Sequence, residues 1–451
     1  MSNTAVSFSA NAPHPHAAHP ERYFFHYILP AMASQLLTGF FIIVDGFFIG
    51  RAMGDAGLAA INILWPLPAV ILATGLGIGS GGGVLVAMAL GRGDEQGAAK
   101  ARGNTIILLV LAALAVTVGL LATYREALLL LGATGHLHKL ACDYMQVAAL
   151  LCFGQILNAG LNPLLRSTGA TMPAMAITVY SLFANIALDW LFIMVLNFGM
   201  AGAALATVAA QITSAGLEIV FLLRSRALPF SFKQLCLTPP LVKKTLLIAL
   251  SPFGLSLSGS LLIMLNNWQC LAYGGESAAA IYAIISYLVG SLQPLLSGIG
   301  EGAQPLISLC SGAGNEHGIR RVFLRALALC LGLSFVLCMG SIALRTQIPV
   351  LFGASLETAV RSHFAIICAA LSLPLWGVVR LFCSYFYARG HSKKSLLFIY
   401  GDPLAVSPLC LYVLPLWFGI NGIWLAAPAA QVLLCAGLLM MQLLEKRKFA
   451  L

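Results

Sequence analysis

Two carboxylates sit inside runs of apolar residues. Asp45 lies in FFIIVDGFFIG, and Asp189 lies in FANIALDWLFI, four residues after Asn185. In a helix that spacing puts Asn185 and Asp189 on one face. Thr207 and Gln211 repeat it further along. A charge at the centre of a membrane helix costs ~2.5–3.5 kcal/mol on insertion scales. No Lys or Arg lies mid-run in the first half of the chain, and Arg166 falls at the end of one. An acid in such a place either holds a proton or collects a cation. The carbonyl of Asn185 and the hydroxyl of Thr207 could complete an oxygen shell for Na+ or orient a protonated Asp. Asp45, Asn185, Asp189 and Thr207 are therefore the candidate ion-coupling residues. No cofactor is expected, and no metal beyond a Na+ at those four positions.

A second set lies elsewhere. Glu301, Arg380 and Asp402 belong to the second half, where a cation is available to pair. Arg380 with Glu301 or Asp402 forms either a structural bridge or part of a substrate cavity. Gln35, Asn158 and Asn162 are polar and uncharged within apolar runs, as interhelical glue or as cavity lining. Glu218, near the end of its run, reads as interfacial. Pro30 removes a backbone donor from the first run and should bend it, as a tolerated kink or as a hinge that moves Asp45. Trp190, Trp268, Trp376 and Trp424 read as interface belt or packing, and a few could stack on planar cations.

The elements that must position these residues are membrane helices. Of 451 residues, 60% are apolar and only 9% charged, with a mean hydropathy of +0.92. A soluble globular chain is about 25% charged, so a soluble enzyme, a nucleic-acid-binding domain and a disulfide scaffold are all excluded. Twelve segments are long enough to span: 26–49, 58–90, 104–123, 141–164, 172–195, 201–223, 245–268, 278–300, 322–344, 360–382, 396–417 and 421–443. The second is long and glycine-rich, so it should tilt or bend. With the N-terminus in the cytoplasm, inside segments hold 20 Lys and Arg and outside segments 5. That asymmetry places both termini in the cytoplasm. Residues 1–20 lack the features of a signal peptide, and His14, His16 and His19 read as chance histidines of a short tail rather than a metal site. The eleven cysteines form no CxxC pair and read as buried, reduced thiols.

An internal repeat sets the architecture. Gly77–Gly97 and Gly298–Gly318 match at nine of 21 positions, six of them glycines, at an offset of 221. Phe198–Gln211 and Phe418–Gln431 match at eight of 14 at an offset of 220, and Gly169 pairs with Gly390 at 221. Six helices have been duplicated. Because six is even, both halves share one orientation, related by a pseudo-two-fold axis along the membrane normal. The expected layout is an all-α polytopic protein. A flexible tail (1–22) precedes an N-terminal six-helix bundle (23–226). A cytoplasmic linker (227–244), a C-terminal bundle (245–445) and a basic tail (446–451) follow. Asp45 aligns with Asn266 and Thr207 with Ala427, so ion coupling is confined to the N-terminal bundle.

No GK[ST] follows the glycine run, so the chain carries no phosphate loop and its transport must draw on an ion gradient. HExxH, GxSxG and fourfold filter repeats are absent, which argues against an intramembrane enzyme or a channel. The residues resemble the multidrug and toxic compound extrusion (MATE) transporters over nearly the whole chain beyond residue 20. The resemblance rests on VDGFFIG at Asp45, GRGD at 91–94, GAQPLISLCSGAGN at 302–315, NIALD at 185–189 and GMAGAALAT leading to Thr207. It looks closest to the bacterial DinF-like and MepA-like branches. Glu301 departs from the Gln expected there, and acids of a NorM-like pattern in the seventh and tenth spans are not visible.

The resemblance implies antiport of H+ or Na+ against cationic or amphipathic organic compounds, by alternating access of two bundles in a bacterial inner membrane. It implies coupling roles for Asp45, Asn185, Asp189 and Thr207. The partners expected are small-molecule substrates and the bilayer, without nucleic acid, and a monomer suffices. A flippase or exporter of a lipid-linked precursor or endogenous metabolite is the alternative on the same fold. The scarcity of basic residues in the runs argues against an anionic lipid cargo.

Overall fold

The computed structural model describes residues 15–224, 228, 229, 231, 234–351 and 356–448. Helices fill almost all of it, and no strand occurs among the described residues. That is how a chain in hydrocarbon satisfies its backbone, because each helical N–H finds its carbonyl within the same segment. The spans are α1 (Pro20–Gly54), α2 (Pro66–Gly91), α3 (Glu95–Leu130), α4 (Gly135–Leu150 with Cys152–Ser167), α5 (Thr171–Val195) and α6 (Gly199–Leu223). The second half supplies α7 (Pro239–Gly275), α8 (Ser277–Gly312), α9 (Glu316–Ala343), α10 (Thr358–Ala388), α11 (Ser392–Phe418) and α12 (Ile420–Leu444).

Several boundaries differ from the sequence expectation. The apolar run 58–90 is not one helix. It is split at Trp65, where Pro66 opens α2, and its first residues continue the helix that follows α1 across Gly54. The run 141–164 is likewise two arms, bent by 61°. The backbone of α1 stays helical through Pro30 and leaves helical geometry only at Gly54. Residues 15–18 and 20–22, assigned above to a flexible tail, are helical and the segment is docked: Ala17 is buried, and its carbonyl accepts from Asn315 Nδ2 at 2.8 Å. His16 bonds Tyr27 Oη at 2.9 Å, and no cluster of three His, Cys, Asp or Glu side chains occurs among the described residues. His14 lies outside them. The linker's last residues, from Pro239, already belong to α7. Its start is pinned by the buried Arg102, which donates to the carbonyls of Leu228 (2.6 Å) and Pro229 (2.9 Å) and to Gln234 Oε1 (3.2 Å).

The duplication is visible in the backbone. Gly54 breaks helical geometry at φ 61°, ψ −153°, and Gly275, 221 residues later, does so at φ 60°, ψ −152°. Both angles lie where only glycine is comfortable. Asp94 caps α3 by accepting from the Gly97 amide at 2.7 Å, and Asn315 caps α9 by accepting from the Gly318 amide at 2.8 Å. Both pairs of partners are separated by the repeat offset.

The repeated glycines also join the halves. A Cβ built on Gly81 of α2 would lie 2.6 Å from the Thr245 carbonyl oxygen of α7; one on Gly302 of α8 would lie 2.6 Å from Ile28 Cα of α1. Gly91 lies against the Leu309 carbonyl, and Gly312 reciprocally lies against that of Met88. Close backbone approach at small residues is how helices associate where lipid supplies no hydrophobic drive.

These contacts lie towards the end of the bundle that carries Pro20. There a large apolar cluster draws on both halves, with Ile28, Leu165, Ile307 and Leu381 among its members, and a smaller one joins Val84 and Met88 to Ile248 and Tyr387. Towards the opposite end the core divides. One cluster (Ile49, Leu128, Met145, Met200) belongs to α1–α6 and the helix after α1, and another (Cys270, Ile281, Cys368, Ile423) belongs to α7–α12. The two bundles thus share a core at the Pro20 end and keep separate cores at the other.

Candidate functional site

Four of the sequence-predicted residues converge in the N-terminal bundle, in its half away from Pro20. Asn185 and Asp189 come from α5, Thr207 from α6 and Asp45 from α1. Asn185 and Asp189 are fully buried and Thr207 is nearly so. Asp45 and Asp189 lie close enough to repel each other electrostatically. Six buried oxygens in this region, Asp45 Oδ1, both Asp189 carboxylate oxygens, Asn185 Oδ1, Thr207 Oγ1 and Gln211 Oε1, lack a hydrogen bond of good geometry, although Asn185 stands beside Asp189 and Tyr144 beside Thr207. Buried polar groups in folded proteins are nearly always satisfied. Here acceptors gather with no Lys or Arg paired to them. Oxygen-only donor sets of this kind suit hard cations, and a shared proton satisfies them equally well.

Local helix geometry explains how α5 presents this face. Directly after Asp189 the helix widens to a π-helical turn over Trp190–Val195, in which Leu196 N bonds Leu191 O at 2.9 Å. Such turns often occur at functional sites because they re-aim side chains within an otherwise regular helix. Tyr144, on the first arm of α4, completes the cluster: it is buried and interacts with Asp45, Asp189 and Thr207. The sequence reading missed it. Its only signal was a hydroxyl in a short run, and the bend at Leu151 that turns this arm inward is a tertiary feature.

The second-half residues separate into two groups. Arg380 pairs with Asp402 at 3.9 Å and donates to Ser258 Oγ at 3.1 Å. Its guanidinium carbon lies 5.0 Å from the Trp376 ring centre. Asp402 also accepts from Ser407 Oγ at 2.6 Å and Gln431 Nε2 at 3.4 Å. This network is buried and largely satisfied, and Asp402 begins the π-helical turn of α11. Of the two pairings expected for Arg380, Asp402 is the one formed.

Glu301 instead reaches across to the other half. Arg166 Nη2 of α4 donates to its Oε2 at 3.2 Å, and Gln35 Nε2 of α1 donates to its Oε1. Arg166 lies in the last turn of its arm, as the sequence places it, but is buried rather than free in water. It is 7% exposed and ties the bundles together. Asn162 donates to Glu218 Oε1 at 2.9 Å and to the Ala174 carbonyl at 3.2 Å. Glu218, expected at the interface, is fully buried. Asn158 lies half-buried on the second arm of α4, away from these bonds. A groove of about 910 Å³ between α2 and α7, with Thr74 and Lys243 as its polar lining, lies apart from the carboxylates.

Comparison with known proteins agrees with this architecture. A family model described as MatE matches residues 30–191 and 255–401. The chain is 26% identical over 426 residues to the multidrug export protein MepA of Staphylococcus aureus (strain NCTC 8325 / PS 47), covering 94% of this chain and 93% of that protein. It is 26% identical over 419 residues to MepA of Staphylococcus haemolyticus (strain JCSC1435), covering 92% and 91%. Among solved structures, the fold superposes with a TM-score of 0.88 on one described as the outward-facing conformation of a multidrug resistance MATE family transporter, at 20% identity, covering 97% of this chain and 98% of that one. A MATE transporter in its bent conformation gives 0.87 at 21% identity, covering 97% and 99%. Two six-helix bundles with a repeat offset of 221 residues, and a family match on both of them, place this chain in the multidrug and toxic compound extrusion (MATE) family of membrane transporters.

Proposed function

We propose that the protein exports cationic or amphipathic organic compounds in exchange for H+ or Na+ bound at Asp45, Asn185, Asp189 and Thr207. The observation that carries this reading is the cluster of buried oxygens in the N-terminal bundle, with two carboxylates and no Lys or Arg paired to them. A carboxylate pair with no Lys or Arg beside it needs a cation in every state of the cycle, and so responds to whichever cation is offered. The MepA relatives, named as multidrug export proteins, support the cargo class.

The bundles act by alternating access. With the Pro20 end in the cytoplasm, as the Lys and Arg asymmetry favours, the shared core lies on the inner side, and the separate cores on the outer side support reading this conformation as the outward-facing one. In this state the outer half of the N-terminal bundle receives a proton or Na+. Neutralising the carboxylates removes the field that holds a cationic compound, and the compound leaves. Rocking the bundles opens the inner face, the ion departs, and the recharged site favours a new cation. One chain supplies both bundles, so a monomer completes the cycle.

The test is ethidium efflux from cells or inverted vesicles, with pH and Na+ gradients imposed separately. Efflux driven by one gradient and lost in Asp45→Asn and Asp189→Asn is the expected result. Normal efflux in both variants overturns the site. No efflux of any cation by well-expressed wild type overturns the cargo and favours a lipid-linked or metabolite substrate.

A further inference from the structure

We infer that Glu218 is a second proton-binding site, loaded and unloaded as Arg166 changes partners between Glu301 and Glu218. The inference rests on the reading of the chain as a cation-coupled exchanger and adds a site to it. Glu218 lies eleven residues beyond Thr207 on α6, which is about 16 Å along the helix, towards the Pro20 end.

Three observations meet there. Glu218 is fully buried, and one of its oxygens, Oε2, has no partner, while Oε1 holds only the Asn162 amide. Arg166 stands one turn from Asn162 on the same arm of α4 and is near enough to act on the Glu218 carboxylate electrostatically. Yet its bonded nitrogen is committed to Glu301 in the opposite bundle, and its other terminal nitrogen, Nη1, is buried without a partner. An unused donor and an unused acceptor thus belong to side chains of neighbouring helices that already act on each other.

Among the described residues, Arg166 is the charge that acts on Glu218, and Arg224, six residues further on at the end of α6, is exposed. The second arm of α4 brings Asn162 and Arg166, and α5 brings the Ala174 carbonyl, which Asn162 also holds. The one charged residue of α5, Asp189, and Asp45 of α1 belong to the cluster beside Thr207. At the start of α1, Arg22 and His26 are exposed and Glu21 pairs with Arg321 at 3.9 Å.

The consequence follows from the cost of an uncompensated buried charge. While the bundles are joined at the Pro20 end, Arg166 serves Glu301 and Glu218 keeps a proton. When they part there, Glu301 moves away with α8. Glu218 is then the carboxylate of its own bundle on which Arg166 already acts. Arg166 swings to Glu218 and replaces the proton, which is released on the side that has just opened. Uptake and release at Glu218 are thereby tied to the position of the bundles rather than to the cargo.

Two readouts on the full chain in lipid test this. Infrared difference spectra should show a protonated carboxyl band that survives in the Asp45→Asn/Asp189→Asn double variant. The band should disappear in Glu218→Gln, and it should weaken in Glu301→Gln, where Arg166 is freed to ionise Glu218. Hydrogen exchange of the joined segments, followed against pH, reads the ratio of the two conformations. Glu218→Gln should remove one proton from that linkage, a loss of about tenfold per pH unit within the titrating range. A band untouched by Glu218→Gln, or an unchanged pH slope, overturns the proposal. Neither readout requires a transported compound. Absent efflux with the band present would therefore count against the proposed function alone, and Glu301→Gln tests the exchange even if replacing Glu218 disturbs folding.

Discussion

The contact between bundles can be loosened by a single methyl group. Gly81→Ala places a Cβ 2.6 Å from the Thr245 carbonyl oxygen, and Gly302→Ala places one 2.6 Å from Ile28 Cα. Ordinary van der Waals contact begins near 3.4 Å, so each helix pair must separate locally by about 0.8 Å. Both obstacles are backbone atoms, which cannot rotate aside as a side-chain end would. Overpacking of this kind typically costs about 1–3 kcal/mol. The contact exists only where the bundles are joined, so the cost falls on this conformation and not on the fold of either bundle. The joined-to-parted ratio should therefore drop by roughly 5- to 150-fold. Distances between labels on α1 and α8, or hydrogen exchange of residues 300–312, would report the shift. The two sites are related by the repeat, so the two variants should behave alike. If both unfold the protein at lower temperature with the conformational ratio unchanged, then these glycines serve the interior of each bundle and the argument for a separable interface fails.

Two further predictions concern anchoring. Arg102→Ala leaves the Leu228 and Pro229 carbonyls without their charged donor, a loss of about 1.5–3 kcal/mol for a bond of this type. It should open the chain around Leu228, Pro229 and Gln234 to limited proteolysis while the spans stay protected. Asn315→Ala and Asp94→Ala each remove a helix N-cap worth ~0.5–2 kcal/mol. Asn315 also holds the Ala17 carbonyl at 2.8 Å, so its loss should lower the thermal midpoint more than that of Asp94. Equal shifts would show that the docked segment at 15–18 contributes nothing to stability.

Much of the protein was legible in the sequence because membrane folding obeys few rules. Runs of about twenty apolar residues can only be helices, and charges are so costly there that Asp45 and Asp189 identify themselves. The repeat at 221 residues likewise fixed the number and mutual orientation of the bundles, since a duplicated set of six helices must re-enter the membrane in the same sense. These are local or periodic properties, which a linear chain records directly.

Contacts between distant helices are not recorded in that way. Nothing in the spacing of Arg166 and Glu301, 135 residues apart, distinguishes that pair from Arg380 with Glu301. The structure decided it by where α4 and α8 cross. Glu218 looked interfacial because it lies near the end of an apolar run, yet packing of α4 over α6 buries it. Tyr144 joined the carboxylates only because α4 bends by 61° at Leu151. The sequence alone determined which residues are too costly to be in lipid without a purpose. Only the tertiary structure decided which of them share a charge, because pairing depends on a few ångströms between helices that the order of residues does not specify.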